Sequence, residues 1–322
     1  MKTVLRCLAV ALLAALPAFS AQAQNWPSKP VRFIIPFPPG GPTDIMGRLA
    51  ADILSRAYGQ QFVPDNRGGA GGNIGSDLCS KAAPDGYTIC MLTAAQGVSP
   101  GIYKKLPFDP VKDFAHVTLM AILPSMLTTH PSLPVKNVKD IIALAKSKPG
   151  QLSYASTGNG SSPHMLMELL KHLSKTDMVH IPYKGQAPAV VDQLSGQVQL
   201  AFNTAIGVMS HVQSGRLKPI AISTKERFPP MPELPTVAEG GLKDFDGSSW
   251  QGVVFPGGTP QDIVSKVHAT LAKELTSPAG RETMLKRGGI ASGNTPAEFA
   301  AFVKAEVAKW TQVAKAARIQ VD

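Results

Sequence analysis

Residues 31–59 read VRFIIPFPPGGPTDIMGRLAADILSRAYG. Val31 to Phe37 is rich in β-branched and aromatic residues and predicts a strand. Pro38-Pro39-Gly40-Gly41-Pro42 breaks it. From about Asp44 to Ala57 apolar residues recur at Ile45, Leu49, Ile53 and Leu54, a helical spacing that stops at Gly59. Strand, glycine loop and helix form the repeating unit of an α/β sheet. The loop ends at a helix N-terminus, where four N–H groups lack partners and about half a positive charge collects. Such an end binds carboxylate or phosphate without a basic side chain.

The unit recurs along the chain. Phe62-Val63 opens a second strand, Gly68 to Gly75 leads into a short helix through Leu78, and Tyr87 to Thr93 is a third strand. Val138 to Ser147 is helical. Leu152 to Ser156 is a strand, followed by the polar loop Thr157 to Ser162 (TGNGSS). Ser162 is the expected cap of the next helix and Pro163 its first residue, with Met165, Leu166, Leu169, Leu170 and Leu173 as the buried stripe. Strands at Met178 to Ile181, Val198 to Phe202 and Leu217 to Ser223 alternate with helices that end at Gly196 and Gly215. A prolyl-rich stretch follows, then a strand at Trp250 to Phe255. Helices near Pro260 to Leu275 and Pro296 to Ala317 close the chain. Strands alternating with helices imply a mainly parallel sheet.

The chain has 322 residues, 44% apolar, with a formal net charge of +10. Disorder is excluded by that apolar content. Lys and Arg are scattered and do not interleave with aromatic residues, so nucleic-acid binding is not expected. The N-terminus carries Lys2 and Arg6, an apolar run Leu8 to Leu16, Pro17, and Ala21-Gln22-Ala23. That order predicts a secretory signal peptide cut after Ala23. The run is short of the roughly 20 apolar residues that span a bilayer. Losing Lys2 and Arg6 takes the charge of +10 to +8. Cys79 and Cys90 then remain, and the compartment permits a disulfide. Spacing alone leaves open whether they bridge or are simply two small buried residues.

Enzyme motifs are incomplete. Gly97-Val98-Ser99-Pro100-Gly101 matches G-x-S-x-G, but Pro100 stands where an oxyanion-hole N–H is needed, and no convincing helix follows. Gly69-Ala70-Gly71 begins a dinucleotide fingerprint, but Ile74 occupies its third glycine position. The histidines lack zinc spacing. No catalytic residue, metal or cofactor is expected. The alternative function for this sequence is an exported serine hydrolase centred on Ser99.

Several stretches occur together. They are Trp26-Pro27-Ser28-Lys29-Pro30, Phe37 to Asp44 with Arg48, Asn66 to Gly75, Pro84-Asp85-Gly86-Tyr87-Thr88, Gly158-Asn159-Gly160, Pro182-Tyr183-Lys184-Gly185, and Pro235 to Gly241. In this order they resemble the Bug family, the periplasmic solute receptors of tripartite tricarboxylate transporters, over nearly the whole mature chain. The resemblance implies a type II periplasmic-binding-protein fold, with two α/β lobes, two crossover strands and a ligand between them. Lobe 1 is expected at 24–124 and 247–322, and lobe 2 at 125–246. The resemblance also implies a monomeric receptor. It would bind a small carboxylate, held largely by backbone groups and ordered water, and deliver it to membrane transporter subunits. The family often has an acidic residue where Phe202 stands.

The expected ligand-binding residues are Phe37, Pro39, Gly40, Gly41, Thr43 and Asp44 from the first loop, and Thr157, Asn159, Gly160, Ser161, Ser162 and His164 from the second. Gln96, Tyr183, Lys184, Asn203 and Trp250 complete the set. Thr43 adds a hydroxyl, and Asp44 suits either the first helical turn or a ligand amine. His164 is expected to stay neutral at its helix start and to donate a hydrogen bond. Lys184 and Arg67 either pair with a carboxylate or are solvated charges. Trp250 lines the cleft, packs in the core or serves a hinge.

Overall fold

The computed structural model describes residues 26–317, 319 and 320. The expected signal peptide and its cleavage site lie outside the described residues.

Two sheets organise the chain. The first contains β1 (Val31–Ile35), β2 (Phe62–Asn66), β3 (Thr88–Thr93), β4 (Phe114–Leu123), β10 (Ser249–Pro256) and β11 (Ile290–Ala291), in the order β11-β4-β10-β3-β1-β2. The second contains β5 (Ser125–Thr129), β6 (Ser153–Ser156), β7 (Val179–Pro182), β8 (Leu200–Thr204) and β9 (Lys218–Ile222), in the order β7-β6-β8-β5-β9. Neither is mainly parallel. β10 runs antiparallel to β3 and β4, and β5 runs antiparallel to β8 and β9. The crossovers cause this: each enters its sheet from the opposite lobe and so points against the βα units. β4 and β5 themselves are not marked by the alternation of strand and helix.

In the first lobe the helices are α1 (Pro42–Tyr58), α2 (Asn73–Ser80), α3 (Ala94–Ile102), α8 (Gln261–Thr276), α9 (Pro278–Lys286) and α10 (Pro296–Ala317). The second lobe has α4 (Val138–Ser147), α5 (Ser162–Ser174), α6 (Gln186–Leu194) and α7 (Ala205–Gln213). Strand side chains alternate between faces. Val31, Phe33 and Ile35 therefore join Met46, Leu54 and Val267 on one face. Ile34, Cys90 and Leu92 join Cys79, Trp250, Phe299 and Val303 on the other. Burying both faces explains the apolar runs Phe33 to Ile35 in β1 and Ile89 to Leu92 in β3. Cys90 faces α2, and a disulfide joins it to Cys79 across a Cα–Cα distance of 6.4 Å.

Only Pro124 separates β4 from β5, so the chain passes from one sheet to the other in a single residue. The passages are laced together. Ser125 N donates to Ser223 Oγ at 3.1 Å, Ser223 N to Ser125 O, and Gly247 N to Ser223 O. The lobes also share a core, because Val98, Ile102, Trp310 and Ala314 pack with Leu166 and Leu170 of α5. Trp250 Nε1 and Trp310 Nε1 both donate to Glu306 Oε2 at 3.0 Å. One carboxylate thus ties β10 to the helix that reaches the second lobe.

Candidate functional site

Five helix starts converge on a pocket between the lobes. α1 contributes Gly41, Pro42 and Thr43; α3 contributes Thr93 and Ala95; α5 contributes Ser161, Ser162 and Pro163; α6 contributes Gly185 and Gln186; α7 contributes Thr204. Phe37, Pro38, Thr157, Ser249 and Gln251 complete the wall. The cavity measures about 40 Å³, and no lining residue carries a charge. Prolines shape two of these starts. Pro42 and Pro163 stand at the first or second helical position, where the missing N–H costs nothing. Each helix brings about half a positive charge to its start.

Three polar atoms in this wall are buried without a protein partner: Ser162 Oγ, Gln186 Nε2 and Gln251 Oε1. Gln186 is oriented by Thr204, whose hydroxyl donates to Oε1 at 2.7 Å. Its Nε2 rests against Gly207, where a Cβ would collide with the amide.

A larger outer chamber of about 680 Å³ adjoins the pocket and shares Phe37, Pro38, Thr157 and Gly185 with it. Pro39, Asn159, Tyr183 and Lys184 line only this chamber, along with Tyr103 and Gly68 to Gly72. Tyr183 Oη donates to Asp192 at 2.7 Å. Burial, then the neighbouring Asp192, push its hydroxyl up to about 12.

Of the expected site residues, Phe37, Gly41, Thr43, Thr157, Ser161 and Ser162 meet in the inner pocket. Gly40 is set back from it, donating its N–H to Asp44 Oδ2 at 3.0 Å. The Asp44 carboxylate is engaged by Arg48 and Asn66 as well. Burial alone would raise the Asp44 carboxyl, but Arg48, the Gly40 N–H and Asn66 together bring it below its ordinary value. Gln96 caps α3, its Oε1 accepting from Thr93 N at 3.0 Å, while its Nε2 is buried without a protein partner. Asn203 Nδ2 is consumed by Thr128 and Gln193 in the second sheet. Phe202 stacks on Phe245 inside the core. Trp250 is fully buried against Phe299 and Phe302, so packing decides its place. Ser161, not Ser162, is the N-cap of α5, which leaves the Ser162 hydroxyl at the pocket wall.

His164 lies beneath the second loop and accepts, rather than donates: Gly160 N–H points at its Nδ1 at 3.1 Å. Its ring stacks on His180 with centroids 4.0 Å apart. His180 stacks in turn on Tyr154 and is hydrogen-bonded to Ser156 Oγ at 2.6 Å. Burial lowers His164 to about 4, and burial followed by the neighbouring His164 lowers His180 to about 3. Both are neutral supports for the loop.

Thr93, Ala95, Gln186, Thr204, Ser249 and Gln251 are pocket residues that spacing did not mark. One signal was available: Thr93-Ala94-Ala95-Gln96 is a capping box, T-x-x-Q. Gly97, Pro100 and Gly101 obscure the helix behind it.

The model of the tripartite tricarboxylate transporter family receptor matches residues 46–319. The chain belongs to that receptor family. BugT of Bordetella pertussis is 34% identical over 300 residues, 92% of each chain. Two solved structures are similar. Rpa4515 of R. palustris, solved with adipate, is 36% identical with a TM-score of 0.89, covering 92% of this chain and 99% of that one. MatC of Rhodopseudomonas palustris, solved with malate, is 30% identical with a TM-score of 0.85, covering 89% and 99%. The receptor therefore has the fold of periplasmic solute-binding proteins and is not an enzyme. The Ser99 alternative fails on geometry too. Ser99 lies inside α3, fully buried, with its hydroxyl between Asn73 Oδ1 and Ala95 O. No helix of the described residues is long and apolar enough to cross a membrane, and no His/Cys/Asp/Glu group among them is arranged to hold a metal.

Proposed function

We propose that the protein is a monomeric periplasmic receptor that takes the carboxylate of a small solute at the inner pocket and delivers it to its tripartite-type transporter. The observation that carries this reading is the convergence of five helix starts on a pocket lined by no charged side chain. Aligned peptide dipoles and the N–H groups left over favour an anion there, although Ala95 N–H is taken by Thr93 Oγ1 and Ala205 N–H by Pro124 O. Burial strengthens this electrostatic interaction. Gln186 Nε2 and the Ser162 hydroxyl are the unpartnered groups that a carboxylate satisfies. Adipate and malate in the two similar structures support the ligand class.

The proposed division of the chain is 24–124 with 247–322, and 125–246. It is supported by the passage at Pro124 and by the placing of β10 in the first sheet. The proposed mature N-terminus is Gln24, on the signal pattern of residues 1–23. Dispersed Lys and Arg speak against nucleic acid.

Thermal denaturation with a panel of carboxylates tests the reading. A ligand that binds only the folded state raises the melting temperature by mass action. At least one acid should do so, and its methyl ester should do so far less. Equal shifts from acid and ester would remove the anion site.

A further inference from the structure

We propose that His164 is a positioning residue for the ligand: acting through Gly160, its bare Nδ1 holds the second loop in the shape that presents the start of α5 to the pocket, so that a proton on the ring and an acid in the pocket exclude one another. This rests on the carboxylate reading above. Gly160 N–H points at His164 Nδ1 at 3.1 Å. A donor aimed at that nitrogen makes it the acceptor, so the ring's one proton sits on Nε2. The loop above is bent at Gly158 and Gly160, whose φ of +127° and +74° favour glycine. Ser161 closes the bend, its N–H and its hydroxyl both donating to Gly158 O. Gly158 N–H donates in turn to Ser156 Oγ at 3.2 Å, and that oxygen meets His180 Nε2 at 2.6 Å. Two stacked imidazoles therefore carry the loop from beneath, and Thr157, Ser161 and Ser162 on it line the inner pocket.

A second proton on His164 has only Nδ1 to go to. The new N–H would face the Gly160 N–H, donor against donor. The Gly160 peptide must then turn away, and Ser161 and Ser162 follow it directly in the chain. An anion that needs the N–H groups of α5 loses its place, and by linkage a bound anion opposes the proton equally. Burial lowers the ring to about 4, so it is bare near neutral pH. Glu168 and Lys171 face it from α5 itself, His180 from β7, and Tyr154 stacks behind His180 from β6. The Glu168 charge is shared, since Lys171 pairs with it at 2.7 Å and Tyr154 Oη donates to it. On the far side of the loop Tyr103 lies against Gly160 and Tyr183 against Gly158; Tyr183 donates to Asp192, and burial raises both tyrosines, which stay neutral.

Calorimetry of the full mature chain with adipate, malate, citrate and benzoate tests this, beside nitrogen NMR of the histidine rings. At pH 7 the NMR should find His164 Nδ1 unprotonated. His164→Leu should weaken binding about 10-fold or more, the loss from leaving one buried N–H without a partner. His164→Asn should recover most of that, because its amide oxygen stands on the same carbon as Nδ1 and accepts from Gly160. It takes up no proton, so the parent should lose affinity relative to His164→Asn as pH falls, about twofold at pH 4 when half the rings are charged. The same acid serves both proteins, so its own ionisation cancels in the ratio. A bound acid should also move the His164 titration to lower pH. A proton on Nδ1 at pH 7, a folded His164→Asn that no longer binds, a His164→Leu that binds like the parent, or a titration unmoved by bound acid overturns the inference and leaves the carboxylate reading standing. Should His164→Leu fail to fold by circular dichroism, the NMR and His164→Asn decide alone. If the parent binds no acid, the carboxylate reading falls and takes the inference with it.

Discussion

Thr204 donates its hydroxyl to Gln186 Oε1 at 2.7 Å, and the bond decides which half of the amide remains free. The carbonyl is spent on Thr204, so the unpartnered Nε2 is the donor left at the pocket wall. Gln186→Glu preserves the shape and one acceptor for Thr204, but replaces that donor with an anionic oxygen. Affinity for the acid should drop about 10- to 100-fold at neutral pH, the worth of one hydrogen bond to a charged group. It should recover as the new carboxyl is protonated at lower pH, while the parent protein shows no such recovery. Calorimetry at two pH values reads both effects. Unchanged affinity at neutral pH would take Gln186 out of the ligand site.

Gly41 provides a steric probe of the same pocket. Its φ of −91° and ψ of 173° suit any residue, and a Cβ built there meets no atom within 4 Å. Gly41→Val should therefore fold normally and place its methyls in the pocket, weakening binding by at least about 10-fold, one lost charged hydrogen bond. Gly40 is the poorer choice, since its φ of +85° would strain any side chain. Lys184→Met should cost only a few-fold, in a salt-dependent way, because that cation is exposed in the outer chamber. Normal circular dichroism must accompany both variants. If Lys184→Met abolishes binding and Gly41→Val does not, the anchor is the side-chain cation and not the helix starts.

Stability should weaken in mild acid, from about pH 6.5 downward, as the unfolded histidines take up protons. Burial holds His164 at about 4 and His180 at about 3 in the folded protein; the unfolded chain titrates near 6.5. Above pH 6.5 both states are neutral and stability is complete. Below it the unfolded chain takes up protons that the folded one refuses, so stability is lost as pH falls from about 6.5 toward 4. Each such histidine contributes a slope of about 1.4 kcal/mol per pH unit. Burial lowers His116 and His211 as well. Glu168, Lys171 and Tyr154 surround the stacked pair. Glu168 is itself depressed, with burial opposed by Lys171 and Tyr154, so its own contribution is lost only at lower pH. Urea unfolding at pH 7, 6 and 5 should show the trend, and His180→Gln should make it shallower. A slope untouched by His180→Gln would place its origin elsewhere.

The Cys79–Cys90 bridge joins α2 to β3 across a sequence separation of 11. Chain-entropy arguments assign a loop of this size about 3 kcal/mol. Replacing both cysteines by Ala should lower the urea unfolding free energy by about that amount, with the order of affinities in the carboxylate panel unchanged. A reductant should reproduce the loss in the parent protein. No loss in either case would mean that the bridge adds nothing to the buried packing of the two residues.

Local signals made part of this molecule legible. Gly59 marks the end of α1, Pro163 the start of α5, and Pro296 that of α10. The two glycine loops were visible because each follows a strand and opens a helix. Of the remaining three helix starts, Thr93 carried a capping-box signal masked by Gly97, Pro100 and Gly101, while Gln186 and Thr204 acquire meaning only when distant segments meet. The crossovers were hidden for another reason. Phe114 to Leu123 is buried along nearly its whole length and so lacks the alternation that betrays a strand. Trp250 and Asn203 show the opposite failure. Each has the chemistry of a ligand contact, but Glu306 and the Thr128–Gln193 pair have already claimed it.

In the proposed site the peptide backbone holds the charge, while Thr43, Ser162, Gln186 and Gln251 set size and secondary polarity. These two tasks can be edited separately. No ordinary substitution removes a peptide dipole, and no neutral replacement unbalances a buried ion pair, because the pocket wall contains none. A duplicated gene can thus drift toward a different acid through single neutral changes, with every intermediate still capturing an anion. A receptor built around a buried arginine lacks that freedom, since each step must keep the guanidinium matched to its partner.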